Sequence, residues 1–114
     1  MKVAVVTPTI GAETLAQCIE SVQNQTYEDL THYVFRDGVE HYEKIHPILY
    51  ESSGKRTIQT VELEENVGKG WYGHRVYAAC SFLVNADAIC YLDEDNWFEP
   101  CHVKKLVSKL EEGN

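Results

Sequence analysis

The chain has no long hydrophobic run. None of its 114 residues sits in a stretch approaching the roughly 18 apolar positions that a membrane helix requires, so no integral membrane segment is expected. Met1 and Lys2 lead straight into a strand-like segment without a signal-peptide pattern, which makes the cytoplasm the expected location. Basic residues are scarce: 10 Lys and Arg stand against 18 Asp and Glu, a net charge of -8 that disfavours nucleic acid and anionic membranes as partners. A protein this acidic needs a bound metal or a few placed cations to hold a phosphate ligand. Cys18, Cys80, Cys90 and Cys101 never fall into Cys-x-x-Cys spacing, which argues against zinc and reads as reduced core thiols. There is no Walker lysine loop, no Gly-x-Ser-x-Gly and no His-Glu-x-x-His. His32, His41, His46, His74 and His102 share no ligand-like spacing.

What is present is ordinary globular material, 44% hydrophobic and 25% charged, enough for one core and a single domain over residues 1–114. Residues 3–6 form a β-branched run ended by Thr7-Pro8-Thr9, as expected of a strand buried on both faces of a parallel sheet. Leu15, Cys18, Ile19 and Val22 recur at i, i+3, i+4 and i+7 and predict a helix over 12–23. Residues 31–36 read as a second strand, with Asp37 at its C-terminal end and Gly38 in the turn. Residues 39–55, interrupted by Pro47, read as a loop with a short helix. Residues 57–63 alternate polar and apolar, fitting an edge strand. Tyr72, Val76, Ala79, Cys80 and Leu83 predict a helix, 88–92 a short buried strand, and Val103, Leu106, Val107 and Leu110 a last helix with Pro100 in its first turn and Gly113 as C-cap. Strands alternating with helices imply an α/β, doubly wound sheet of about four mostly parallel strands, whose ligands collect outside the strands' C-terminal ends.

The residues with chemistry gather at those ends. After the strand over 88–92 come Asp93, Glu94 and Asp95. If the backbone stays extended, Asp93 and Asp95 face one spot and Glu94 faces away. Two carboxylates about 4 Å apart repel by about 4 kcal/mol at an effective dielectric near 20. A divalent cation offsets that repulsion, and oxygen-only ligands suit Mg²⁺ or Mn²⁺. A solvated acidic loop capping the next helix is the competing reading. Gly68, Gly70 and Gly73 match Gly-x-Gly-x-x-Gly, so a dinucleotide-binding domain is an alternative, although residues 64–67 intervene where that fingerprint wants a tight strand-to-glycine turn. A phosphatase-type Asp-x-Asp fits less well because Trp97 stands where a hydroxyl or small β-branched residue is wanted. Arg75 and Lys69 are candidate phosphate contacts or simply solvated cations, and Trp71-Tyr72 reads as core or lid.

Taken in order, Val-Val-Thr-Pro-Thr, Phe-Arg-Asp-Gly, Glu-Asn-Val-Gly-Lys-Gly before a helix carrying His74-Arg75, and Tyr-Leu-Asp-Glu-Asp-Asn resemble a family 2 glycosyltransferase of the GT-A fold. The resemblance implies a Rossmann-like, nucleotide-sugar-binding N-terminal half. It makes Thr7, Pro8 and Thr9 backbone neighbours of the nucleotide and Asp37 the carboxylate that hydrogen-bonds the base, usually uracil. Asn66, Gly68, Lys69 and Arg75 then line the nucleotide pocket, while Asp93 and Asp95 meet ribose and the metal-diphosphate. The implied donor is a UDP-sugar with Mn²⁺ or Mg²⁺, and the implied reaction is inverting hexosyl transfer to an unknown acceptor. Similar proteins continue well past the Asp-x-Asp into an acceptor half that supplies the general base. A binding module without catalysis is therefore a second expectation, and self-association through the strand edge at 88–92 a third.

Overall fold

The computed structural model describes residues 1–52, 54–68 and 74–113. Its elements run β1 (Val3–Thr9), α1 (Leu15–Gln23), β2 (Leu30–Asp37), a 3₁₀ turn (Val39–His41), α2 (Tyr42–Ser52), β3 (Thr57–Leu63), α3 (His74–Cys80), β4 (Ala88–Tyr91) and α4 (His102–Glu112). The four strands form one sheet in the order β3-β2-β1-β4, and every pairing is parallel. The expected α/β architecture is borne out. Among the described residues no helix is long and apolar enough to cross a membrane.

Alternation along the strands sends side chains to two cores. Val3 and Val5 of β1 pack with Cys18 and Val22 of α1 and with Val103 and Val107 of α4. Val6, of opposite parity, packs with Phe35, Val76 and Cys80 under α3. Leu15 and Ile19 meet Ile45 of α2 in a third cluster. Helices on both faces explain why all seven residues of β1 are buried. Each fully buried Val, Leu or Phe contributes about 1.5–3 kcal/mol relative to exposure.

Several elements differ from expectation. β4 ends at Tyr91 rather than 92 and is half-buried, with Tyr91 exposed, where a buried strand was expected. α3 ends at Cys80, so Leu83, expected on its apolar face, lies beyond it and is exposed. β1 runs on through Thr7-Pro8-Thr9, three residues past its last pairing with β4 at Val6. The Val6 carbonyl accepts the Leu92 N–H, so the Val6 main chain faces β4. Pro8, two residues on, faces the same side where β4 has already ended, and its missing N–H therefore costs no ladder bond. α1 starts at Leu15 rather than 12, because the N–H groups of Ile10 and Ala12 are held by a side chain from another part of the chain. α2 is an 11-residue helix with Pro47 inside it, where a loop with a short helix was expected. Ile45 is buried against α1, with Ile48 and Leu49 packed beside it, while Pro47 lies on the exposed side. Water can therefore reach the Glu43 carbonyl that Pro47 leaves without a donor. In α4 only Val103 and Val107 are buried, Leu106 and Leu110 being exposed, and Pro100 precedes the Cys101 N-cap. Gly113 is the C-cap, its N–H bonding the Lys109 carbonyl at 3.0 Å.

Candidate functional site

Because β1 lies between β2 and β4, the winding of the chain reverses beside it, and ligands of open α/β sheets bind at the carboxyl ends of the strands at such a point. The overhang of Thr7, Pro8 and Thr9 past β4 forms one wall of that crevice. Thr7 is buried: its hydroxyl lies 2.8 Å from His32 Nε2 and 3.8 Å from Cys18 Sγ. The Thr9 hydroxyl donates to Glu94 Oε1 at 2.6 Å. Both threonine side chains are thus engaged within the protein.

The opposite wall is the acidic segment after β4, and here the extended-backbone expectation is corrected. The Asn96 N–H donates to the Asp93 carbonyl at 3.0 Å, closing a turn through Glu94 and Asp95. Asp93 and Asp95 are exposed, but they owe this to the turn rather than to strand alternation. Glu94 does not point idly outward. It accepts from Thr9, from the Ile10 N–H at 3.1 Å and from the Ala12 N–H at 2.9 Å, tying the turn to the β1–α1 loop. The Tyr77 hydroxyl donates to Asp93 Oδ1 at 2.5 Å, and burial followed by that bond raises the phenol's pKa well above the ordinary tyrosine range. The Cys18 S–H donates to the Asp93 carbonyl at 3.6 Å. Burial pushes the Cys18 thiol up to about 12, and the fields of Glu94, Asp93 and Asp95 add to it against the lowering by the Thr7 hydrogen bond.

A second group forms at the end of β2. Asp37 is 3% exposed, and its carboxylate accepts the Val67 N–H at 2.7 Å and the Gly68 N–H at 2.8 Å. Asn66 donates to the Asp37 carbonyl at 2.9 Å. The sequence-predicted residues Asp37, Asn66 and Gly68 are therefore brought together, but Asp37 works as an anchor for the loop after β3 rather than as a free side chain. Asp93 and Asp95 form a separate group across the rim. Arg75 is exposed in the first turn of α3. Lys69, Gly70 and Gly73, with Trp71 and Tyr72, lie outside the described residues. Glu94 and Tyr77 were missed by the sequence reading. Nothing in local spacing links Glu94 to a loop 84 residues earlier, although the run of N–H groups at Ile10 to Ala12 before a helix does call for an acceptor.

Beside Asp93 opens a cavity of about 600 Å³ lined by His74, Tyr77, Tyr91, Asp93, Trp97 and His102 among others. That volume is in the range of small-molecule sites. Among the described residues no group of three or more His, Cys, Asp or Glu is arranged to hold a metal. Asp93 and Asp95 offer two exposed carboxylates, and Asp95 makes no hydrogen bond or ion pair among the described residues. A hard cation such as Mg²⁺ binds one or two carboxylates and completes its shell with water and substrate phosphate, so the donor chemistry fits.

A sequence model of the Glycosyl transferase family 2 matches residues 4–114. The chain belongs to that family. Family 2 membership sets aside the dinucleotide-binding reading of Gly68, Gly70 and Gly73, as does the Gly68 N–H, which is committed to Asp37. No curated protein matches the chain in sequence. Among solved structures, S. aureus TarS 1-349 superposes with a TM-score of 0.77 at 17% identity, covering 98% of this chain and 33% of that one. TarS 1-349 in complex with UDP gives 0.77 at 16%, covering 98% and 32%. The complex with UDP-GlcNAc gives 0.78 at 18%, with the same coverage, 98% and 32%. These likenesses establish the GT-A fold for this family 2 chain, which spans about a third of the length of those structures.

Proposed function

We propose that the chain is the nucleotide-sugar-binding part of an inverting glycosyltransferase, with a UDP-sugar as donor and Mn²⁺ or Mg²⁺ as its cation. The observation that carries this reading is the acidic turn, fastened by Glu94 to the β1–α1 loop at the point where the sheet's winding reverses. It presents exposed carboxylates where a diphosphate would arrive. The fold's likeness to TarS structures that hold UDP or UDP-GlcNAc supports it.

In this reading the main chain of Thr7, Pro8 and Thr9 supports the nucleotide from below, and Asp37 holds the Asn66–Gly68 loop against it. Arg75 and Lys69 supply positive charge to the phosphates of an otherwise acidic protein. Asp93 and Asp95 would hold the cation. When bound, that ion neutralises charge developing on the leaving nucleoside diphosphate, which lowers the barrier to breaking the sugar-phosphate bond. An acceptor hydroxyl, deprotonated by a general base, would attack the anomeric carbon from the opposite side and invert it. Tyr77 keeps Asp93 oriented throughout.

Thermal unfolding with added UDP and Mn²⁺, and separately with NAD, tests the assignment. A ligand at 100 times its dissociation constant stabilises by about 2.7 kcal/mol. Stabilisation by UDP with metal but not by NAD is the expected result; the reverse pattern, or no response to either, would refute it.

A further inference from the structure

The residue between the two site aspartates is better anchored than either. Glu94 Oε1 accepts the Thr9 hydroxyl at 2.6 Å and the Ala12 N–H at 2.9 Å, and Oε2 accepts the Ile10 N–H at 3.1 Å. The Thr9 oxygen in turn accepts the Gly11 N–H at 2.9 Å, so the four residues 9–12 converge on one carboxylate. Hydrogen bonds to an ionised acceptor are roughly twice as strong as neutral ones. Among the described residues the Asp93 carbonyl adds two more ties, accepting the Asn96 N–H within the turn and the Cys18 thiol from α1. On its other side the Tyr77 hydroxyl occupies Asp93 Oδ1, and the Tyr77 ring is braced edge-on by Tyr91 at 4.8 Å between centroids. Among the described residues Asp93 is thereby left with Oδ2 as its uncommitted oxygen.

We infer that Glu94 and Tyr77 are positioning residues for the donor site. Glu94 sets where the acidic turn stands against the β1–α1 loop, and Tyr77 sets which oxygen Asp93 presents to a ligand. The inference rests on the reading of Asp93 and Asp95 as donor-site ligands. It also reverses what strand alternation implies, since the middle residue of the Asp-x-Asp becomes as consequential as its neighbours. Glutamine at position 94 keeps the length but has one acceptor oxygen and an amide N–H₂ that confronts a backbone donor. Phenylalanine at position 77 keeps the ring and loses only the hydroxyl.

Two measurements on the full chain test this. In amide hydrogen exchange without ligand, Glu94→Gln should speed exchange at Ile10, Ala12 and Asn96 by roughly tenfold or more, the scale of a charge-assisted bond. In calorimetric titration with UDP, Glu94→Gln and Tyr77→Phe should each weaken binding in Mg²⁺ by roughly five- to tenfold while metal-free binding changes little. A residue that merely supported the fold would lower both affinities together. Unchanged Asn96 exchange in Glu94→Gln overturns the clasp, and unchanged affinity in Mg²⁺ for both variants overturns the positioning role. A wild-type chain that binds no UDP sinks the donor-site reading and the role of Tyr77 with it, and the Glu94 clasp then stands or falls on the exchange at Asn96.

Discussion

His32 ties the floor of the crevice to solution pH. It is wholly buried on β2, its Nε2 lies 2.8 Å from the Thr7 hydroxyl, and its Nδ1 has no partner among the described residues. Burial lowers its pKa from 6.5 to about 3. An unfolded chain therefore takes up this proton below about pH 6.5, whereas the folded one resists until about pH 3. The stabilising contribution is complete above pH 6.5 and is lost as pH falls from there toward 3. Each pH unit in that window removes about 1.4 kcal/mol, so roughly 2 kcal/mol is gone at pH 5. Urea unfolding of the wild type and of His32→Gln at pH 7 and pH 5 isolates the effect, because the carboxylates common to both chains cancel in the difference. The stability gap between the two proteins should shift by about 2 kcal/mol against the wild type at the lower pH. A gap independent of pH would refute the reasoning and mean that water reaches the imidazole.

The other expectations follow the hydrogen bonds and the sheet edge. Asp37→Ala leaves the Val67 and Gly68 N–H groups without their acceptor and should cost about 1–3 kcal/mol, with faster exchange at those two amides; unaltered exchange would remove the anchor role. Uridine affinity without metal should fall in the same variant, and full retention of that affinity would separate Asp37 and its loop from the base. Among the described residues β4 pairs only with β1, and Tyr91 at its C-terminal end is 55% exposed, so light scattering after size exclusion should find dimers or larger species at micromolar concentration. A clean monomer would show that this edge does not recruit a second copy.

Much of the fold could be read from pattern because the signals were redundant. β1 is apolar at every early position since both its faces are covered, and Leu15, Cys18, Ile19 and Val22 mark α1 by spacing alone. α2 was obscured because its apolar stripe is only Ile45, Ile48 and Leu49, broken by a proline that solvent on its exposed side makes tolerable. The candidate site was legible as a set of residue types and illegible as geometry. Period-two reasoning presumes an extended backbone, and the turn closed by Asn96 breaks it at the residues where it was applied. Partners of Glu94 lie 82 to 85 residues away and the partner of Asp93 is 16 away, separations at which no local pattern operates.

Mapping amide chemical shifts on titration with UDP and Mg²⁺ tests the donor site most directly. The account predicts that perturbed residues gather at Thr9 to Ala12 and at Asp93 to Asn96, on both walls of the crevice between β1 and β4, and at Asn66 to Gly68 beyond the end of β2. Perturbations centred instead on the cavity lined by Arg36, Tyr42 and Glu62 between α2 and β3, or none at saturating UDP, would contradict it.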